Sequence, residues 1–299
     1  MTVTLDWLGC ATYRLSVDGL VIFLDSFMDR VSTAPAVGLS TAEVTEADFV
    51  LVGHAHFDHL AGADVIAKAT GAKVIGSFES MRVLREAGVP EAQLIGSQGG
   101  EHHRLNEDVT VKVFPSLHSC IWTRAAAPGT ELSGDLNLTE SERADVRASI
   151  ASQGRRGRRD PALAEEMRRL REDSVSSDDH GGALDYLITT PQGTIYFQDS
   201  MGYWTGVLGA VRADVAILAA AGRGNIDGEP IQGSVEQFIA GEVQLLKPQR
   251  VILGHHDNWM GLPDVPDVTD MSPVHEELRR VAPQVEVIEL SYLDGTTLF

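Results

Sequence analysis

Three imidazoles and a carboxylate fall within six positions at the end of one short apolar run. The stretch is residues 47–62, ADFVLVGHAHFDHLAG, and the metal-seeking side chains are His54, His56, Asp58 and His59. Residues 49–52 read as a strand buried on both faces, and Gly53 ends it. A folded chain rarely gathers so much titratable nitrogen and oxygen at a strand end unless a cation compensates it. Three more ligand-type residues follow later apolar runs: His118 after VTVKVF, Asp199 after TIYFQ, and His255 after RVILG. Imidazole and carboxylate donors suit zinc, and also manganese or iron. Seven of them are too many for one tetrahedral ion and fit two divalent ions, zinc first.

These residues need rigid elements behind them. Residues 3–8, 13–17 and 20–24 read as a β-meander, with Asp18-Gly19 as its hairpin turn. After the metal stretch, residues 60–70 read as a helix closed by Gly71, and 72–76 as a strand. Residues 77–87 read as a second helix with Ser77 as N-cap and Gly88-Val89-Pro90 as its stop. Strands are expected at 93–95, 109–114, 184–189, 194–198, 215–218, 250–253 and 285–290, with a short one at the C-terminus and a helix at 234–246. Strand–loop placement of functional residues is the general rule for active sites.

Residues 120–183 break this pattern. They hold ten arginines and twelve acids, so nearly all of the net charge of −19 lies elsewhere. Thr139 and Glu142 have capping-box spacing, Asp160-Pro161 opens another helix, and QGRRGRR (153–159) reads as a solvated basic loop. Two helices inserted as a cap or lid beside the site are expected, within one domain spanning 1–299.

Composition narrows the function. A strongly acidic chain is a poor nucleic-acid or anionic-membrane binder. No apolar run reaches membrane-spanning length, and no signal peptide is visible. Cys10 and Cys120 form no disulfide framework and read as small buried residues. A cytoplasmic protein acting on a small-molecule substrate is expected; homo-oligomerisation is left open.

HAHFDH followed in order by a lone His, a lone Asp and a final His resembles the metallo-β-lactamase superfamily. The resemblance covers essentially the whole chain outside the insertion. It implies an α/β, four-layer αβ/βα sandwich with a dinuclear site at one edge. It also implies that His54, His56 and His118 hold one metal, that Asp58, His59 and His255 hold the other, and that Asp199 bridges them. A bridge of that kind sets ions about 3.5–4 Å apart, and water between them loses a proton near neutral pH to give a hydroxide nucleophile. WLGCATYRL with LVIFLDS is similar to the branch containing ascorbate-6-phosphate lactonase-like proteins and N-acyl-phosphatidylethanolamine phospholipase D. That branch commonly reads WLGHAT, and Cys10 stands here in place of its histidine. YFQDS and VILGHHDNW resemble its Asp and final-His segments, which favours His255 over His256. Phe57 stands where oxygen-reducing diiron relatives place an acidic ligand.

The expected activity is hydrolysis of an ester-like bond, a lactone or carboxylic ester, with Asp58 both binding metal and orienting the nucleophile or passing on its proton. The alternatives are a phosphodiesterase acting on nucleotides or phospholipid-like substrates, and a redox or non-catalytic metal-binding member of the same fold. Trp122, Tyr203, Trp204 and Trp259 lie within five residues of proposed ligands and are candidates for the pocket wall. His180, where the insertion rejoins the core, is a candidate substrate contact or proton donor. Arg223 in GRGN is a candidate anion contact. Asp25, after a strand, is a candidate support for a ligand. His102 and His103 read as exposed turn residues.

Overall fold

The computed structural model describes residues 2–155 and 160–299. Strands β1 (Val3–Trp7), β2 (Tyr13–Val17) and β3 (Leu20–Leu24) form the expected meander. β4 (Phe49–Leu51) joins β3 in parallel. Two helices follow, α1 (Phe57–Leu60) and α2 (Ala63–Thr70). The single helix expected over 60–70 is therefore two, broken at Gly62, whose backbone is left-handed (φ 95°). β5 (Lys73–Ser77), α3 (Phe78–Glu86) and β6 (Leu94–Ser97) complete this half. Ser77 Oγ accepts from Ser80 N, the cap expected of it.

The second half opens with β7 (His102–Arg104) and β8 (Thr110–Pro115). His102 and His103 thus lie on a strand rather than in a turn, because Gly99-Gly100 reverses the chain before them; His103 bonds Ser97 Oγ. Helices α4 (Glu140–Arg155) and α5 (Pro161–Asp173) come next, then β9 (Leu184–Thr189) and β10 (Thr194–Gln198). β8 and β9 pair directly, so the helical segment is a long excursion from one hairpin. Gln153–Arg155 of the expected basic loop end α4, and residues 156–159 lie outside the described residues. β11 (Gly202–Tyr203), α6 (Thr205–Leu208), β12 (Val215–Ala219), β13 (Asn225–Ile226), β14 (Glu229–Pro230), α7 (Val235–Leu246), β15 (Arg250–Gly254), α8 (Ser272–Val281), β16 (Glu286–Ile288) and β17 (Thr296–Thr297) follow.

Two seven-stranded sheets result, ordered β17-β1-β2-β3-β4-β5-β6 and β16-β15-β12-β10-β9-β8-β7. Each is part antiparallel and part parallel. Leu5, Leu15, Leu51, Val111, Tyr186, Phe197 and Ile217 fill the space between the sheets. Val50, Val52 and Val74 point the other way, onto α2 and α3. Leu218, Leu253 and Val251 do the same beneath α7 and α8. Strands buried on both faces must be apolar throughout, which is why they read as continuous runs. Each fully buried Leu, Ile or Phe contributes about 1.5–3 kcal/mol. The helix-flanked pair of sheets is the expected four-layer α/β arrangement.

Candidate metal centre

The carboxyl ends of β4, β8, β10 and β15 meet at one edge of the sandwich and bring His54, His118, Asp199 and His255 together. His54 Nε2 lies 3.1 Å from His56 Nδ1, which lies 3.1 Å from His118 Nε2. Three ring nitrogens therefore converge on one point. Two of the three rings are tied on their other face. His54 Nδ1 bonds Asp199 Oδ2 at 2.6 Å and His118 Nδ1 donates to Ser119 O at 2.8 Å. Each tie puts the proton on Nδ1 and leaves Nε2 a lone pair for a cation.

A second trio sits beside the first. His255 Nε2 is 3.3 Å from His59 Nε2 and 3.5 Å from Asp58 Oδ2, which is 3.6 Å from His59 Nε2. His59 Nδ1 donates to Asp25 Oδ2 at 2.7 Å, while Asp25 Oδ1 accepts from Gly53 N at 2.9 Å. Asp25 thus fixes both the ring of His59 and the start of the ligand loop. Asp199 stands between the trios, 3.3 Å from His59 Nδ1. Its Oδ2 is committed to His54, and its buried Oδ1 has no hydrogen-bond partner among the described residues. A Cβ on Gly53 would lie 2.0 Å from Asp199 Oδ2, so only glycine fits there. Cys10, Asp25 and His255 all have positive φ, 49°, 53° and 61°. Such strain costs about 1–3 kcal/mol per residue and gathers at functional sites.

Electrostatics agree with a cation. Burial, reinforced by neighbouring imidazoles, holds His54 and His118 well below the ordinary histidine range. Burial also lowers His56 and His59. Neutral imidazole is the ligand form; His255 differs, since burial lowers it but Cys10 and Asp58 outweigh burial and push it well above the ordinary histidine range. Burial works against the charge on Asp58, but His59 and His255 outweigh it and hold the carboxylate well below its usual range. Burial, with Asp199 beside it, raises Asp25 well above the usual carboxylate range, and burial raises Asp199 even against the opposing charges of His59 and His255. The clustered imidazoles and carboxylates therefore fit a metal-binding site, and Asp199 Oδ1 is a buried oxygen left without a partner among the described residues.

Cys10 adds a neighbour. Its Sγ lies 3.6 Å from His255 Nε2 and 3.5 Å from Asp58 O, and burial pushes its thiol up to about 11. His256 stacks on Trp7 at 5.1 Å instead of entering the centre.

A cavity of about 810 Å³ opens beside His118, walled by Leu117, Ile121, Trp122, Trp204 and the α4 face carrying Arg143 and Arg147. Trp122, His180 and Trp204 are on its lining. The other aromatic candidates are not. Tyr203 is buried against Phe238, and Trp259 packs edge-on to His255 and Phe27 beside the second trio. Arg223 does not line this cavity either. Only 2% exposed, its guanidinium bonds Ile231 O, Gly134 O and Asp135. It ties the excursion to the second sheet's loops, and GRGN alone shows no sign of that. Sequence reasoning missed Asn225, which lines the cavity and donates to His118 O at 2.8 Å. It also missed Arg143, which stacks over Trp122 at 4.3 Å. Both depend on pairings far apart in sequence.

Comparison with known proteins bears on the fold. Residues 21–144 match the family described as Beta-lactamase superfamily domain. A UPF0173 metal-dependent hydrolase of Pyrobaculum arsenaticum is 37% identical over 115 residues, 38% of this chain and 49% of that protein. A Myxococcus xanthus UPF0173 metal-dependent hydrolase is 36% identical over 114 residues, 38% of each chain. The chain spans about half the length or less of these curated relatives. Among solved structures, Igni18, a metallo hydrolase from Ignicoccus hospitalis, superposes with a TM-score of 0.59 at 19% identity, covering 100% of this chain and 98% of that one. At that identity the likeness shows the fold, which is the metallo-β-lactamase fold. Among the described residues, no helix is long and apolar enough to cross a membrane.

Proposed function

We propose that this metallo-β-lactamase-fold protein is a metal-dependent hydrolase with a dinuclear, zinc-preferring centre that opens an ester-like bond, a lactone or carboxylic ester. One observation carries the reading: two convergent ligand trios flank an aspartate whose buried Oδ1 has no partner among the described residues. His54, His56 and His118 would hold one ion, and Asp58, His59 and His255 the other, with Asp199 shared. Two divalent ions there would polarise an ester oxygen and lower the pKa of water. The chain's own groups do the rest. Asp58 stays ionised and can accept a hydrogen bond from the attacking water. Asp25 and Ser119 O keep ring nitrogens aimed inward. Leu117, Ile121, Trp122 and Trp204 exclude water from the substrate's organic part.

The redox alternative loses support at Phe57, whose ring packs against Phe27 at 5.5 Å and Trp259 at 5.7 Å and supplies no acidic ligand. A phosphodiester is the second reading, favoured by Arg147 on the cavity wall. Similarity to the lactonase-like branch rests on WLGCAT and supports the first. The test is metal analysis joined to a screen of lactones, carboxylic esters and phosphodiesters. Two equivalents of zinc with fast lactone or ester opening are expected. Protein without stoichiometric metal would sink the proposal.

A further inference from the structure

We infer that His180 is a fixed hydrogen-bond donor to an oxygen of the substrate, offering its Nε2–H into the cavity beside the first ligand trio. The inference rests on the hydrolase reading for what that oxygen belongs to, but not for the donor itself.

His180 is held from several sides. Ala55 N donates to His180 O at 3.0 Å, and Ser177 N donates to Ala55 O at 2.8 Å. The exit of the excursion is thus laced to the residue between His54 and His56. Ser177 Oγ donates to Glu79 Oε1 at 2.6 Å, and Gly181 N to Asp179 Oδ1 at 2.9 Å. Gly181 has φ 73°, and a Cβ there would meet Glu79 Cβ at 2.4 Å. Gly182 N then donates to His180 Nδ1 at 3.1 Å. An acceptor nitrogen carries no proton, so the ring proton is assigned to Nε2. This is the reverse of His118 and His59, whose Nδ1 atoms donate and whose Nε2 atoms are left to accept a cation. His180 is therefore built as a donor where its neighbours are built as ligands.

Its Nε2 has no hydrogen-bond partner among the described residues, yet its ring is only half-buried and lines the cavity. The ring centroid is 5.6 Å from that of His118 and 6.0 Å from that of His56. A group bound at the first trio thus falls beside it. A carbonyl or phosphoryl oxygen is the acceptor such a donor matches, and the fixed backbone lets it wait there without reorganisation.

The test uses the two-zinc protein with His180→Phe, which keeps a ring but no donor, and His180→Gln, which keeps an N–H. Inorganic phosphate binding by calorimetry is the first readout. Hydrolysis of the ester found in the screen, or of bis-p-nitrophenyl phosphate, is the second. Phosphate should bind about 2- to 10-fold more weakly to His180→Phe, the size of one lost hydrogen bond, and His180→Gln should recover most of it. Hydrolysis should fall about 10²-fold in kcat for His180→Phe if the donor meets developing charge. Equal phosphate binding by all three proteins overturns the inference. So does loss of zinc from His180→Phe, which would make the residue a support of the ligand loop, and so does a wild type that binds no phosphate. A wild type that binds phosphate through His180 but hydrolyses nothing defeats the hydrolase reading and leaves the donor standing.

Discussion

The ligand loops and the helical excursion meet at the same centre but are built on opposite principles. Every residue of β4 is buried, and the loop after it is fixed by Asp25, Asp199 and backbone hydrogen bonds. In α4, no described side chain is fully buried. It meets the core chiefly through Arg143, which stacks over Trp122 and pairs with Glu229. α5 is anchored by Leu163 and Met167 against Val31, next to Phe57. The framework is over-determined, so it can hold strained backbone and unpaired donor atoms for a metal. The excursion's ends are tied to the core backbone at Ala126, Leu132 and Ser177, but its helices bury few side chains, so their cavity-facing contacts can vary more freely than those of the ligand loop. On this reading the framework fixes the chemistry and the excursion fixes the substrate.

The largest expected effect breaks the framework side. His54→Ala with His56→Ala removes two of the three proposed ligands of the first trio. Stoichiometric metal should be lost and hydrolysis should fall by about 10³-fold or more, since metal polarisation supplies several kcal/mol. Circular dichroism should stay native, because the sheets do not depend on these rings. Unchanged metal content would contradict the assignment outright. Truncating the anchors of α5 tests the other side. Leu163→Ala and Met167→Ala should each cost about 2–5 kcal/mol, paid locally as faster amide exchange along α5. KM should shift while two metals remain. Metal loss would show that the excursion supports the centre after all.

The same contrast decides what was legible in the sequence. His54, His56, Asp58, His59, His118, Asp199 and His255 stood out because each follows a strand-like run, apolar on both faces before His54 and His255 and alternating before His118. Ser77 and Thr139 stood out because capping is local; Glu142 Oε2 does accept from Thr139 N at 2.8 Å. The break at Gly62 was hidden, since a helical pattern runs through it. β13 and β14 were hidden too, because two-residue strands carry no period. Arg223 looked like a free cation in GRGN and proves to be a tie to Asp135, 88 positions away. His180 was legible as a candidate substrate contact or proton donor, but which of its ring nitrogens donates was not. Its donor character needed Gly182 N, whose direction is a property of the folded turn.

A subtler change separates support from ligation. Asp25→Asn keeps an oxygen for Gly53 N but turns an amide N–H toward His59 Nδ1. That nitrogen must then accept, which moves the ring proton to Nε2, the atom facing His255 and Asp58. Metal affinity at the second trio should weaken by about 10- to 100-fold, leaving one tightly held zinc per chain in a competition titration. Two zincs held as tightly as in the wild type would remove Asp25 from the centre.

A further expected effect, on stability and not on the centre, concerns a framework carboxyl that no cation compensates. Asp185 lies on β9, buried, with Tyr196 Oη donating to its Oδ2 at 2.5 Å. Burial pushes it up to about 8 from an ordinary 3.8. Between those values the native chain keeps the proton and the unfolded chain releases it. The unfolded state binds fewer protons, so stability falls as pH rises across this window, by at most about 1.4 kcal/mol per unit. The contribution is fully present below the unfolded pKa and gone above about 8. Asp185→Asn keeps the acceptor for Tyr196 but cannot ionise, so its urea midpoint should lose that slope between pH 5 and pH 8, in about three steps of one unit each. Parallel wild-type and variant curves would mean that Asp185 already shares its charge with a neighbour. The framework would then tolerate a buried anion even away from the proposed metal centre, and the contrast with the excursion would be one of packing alone.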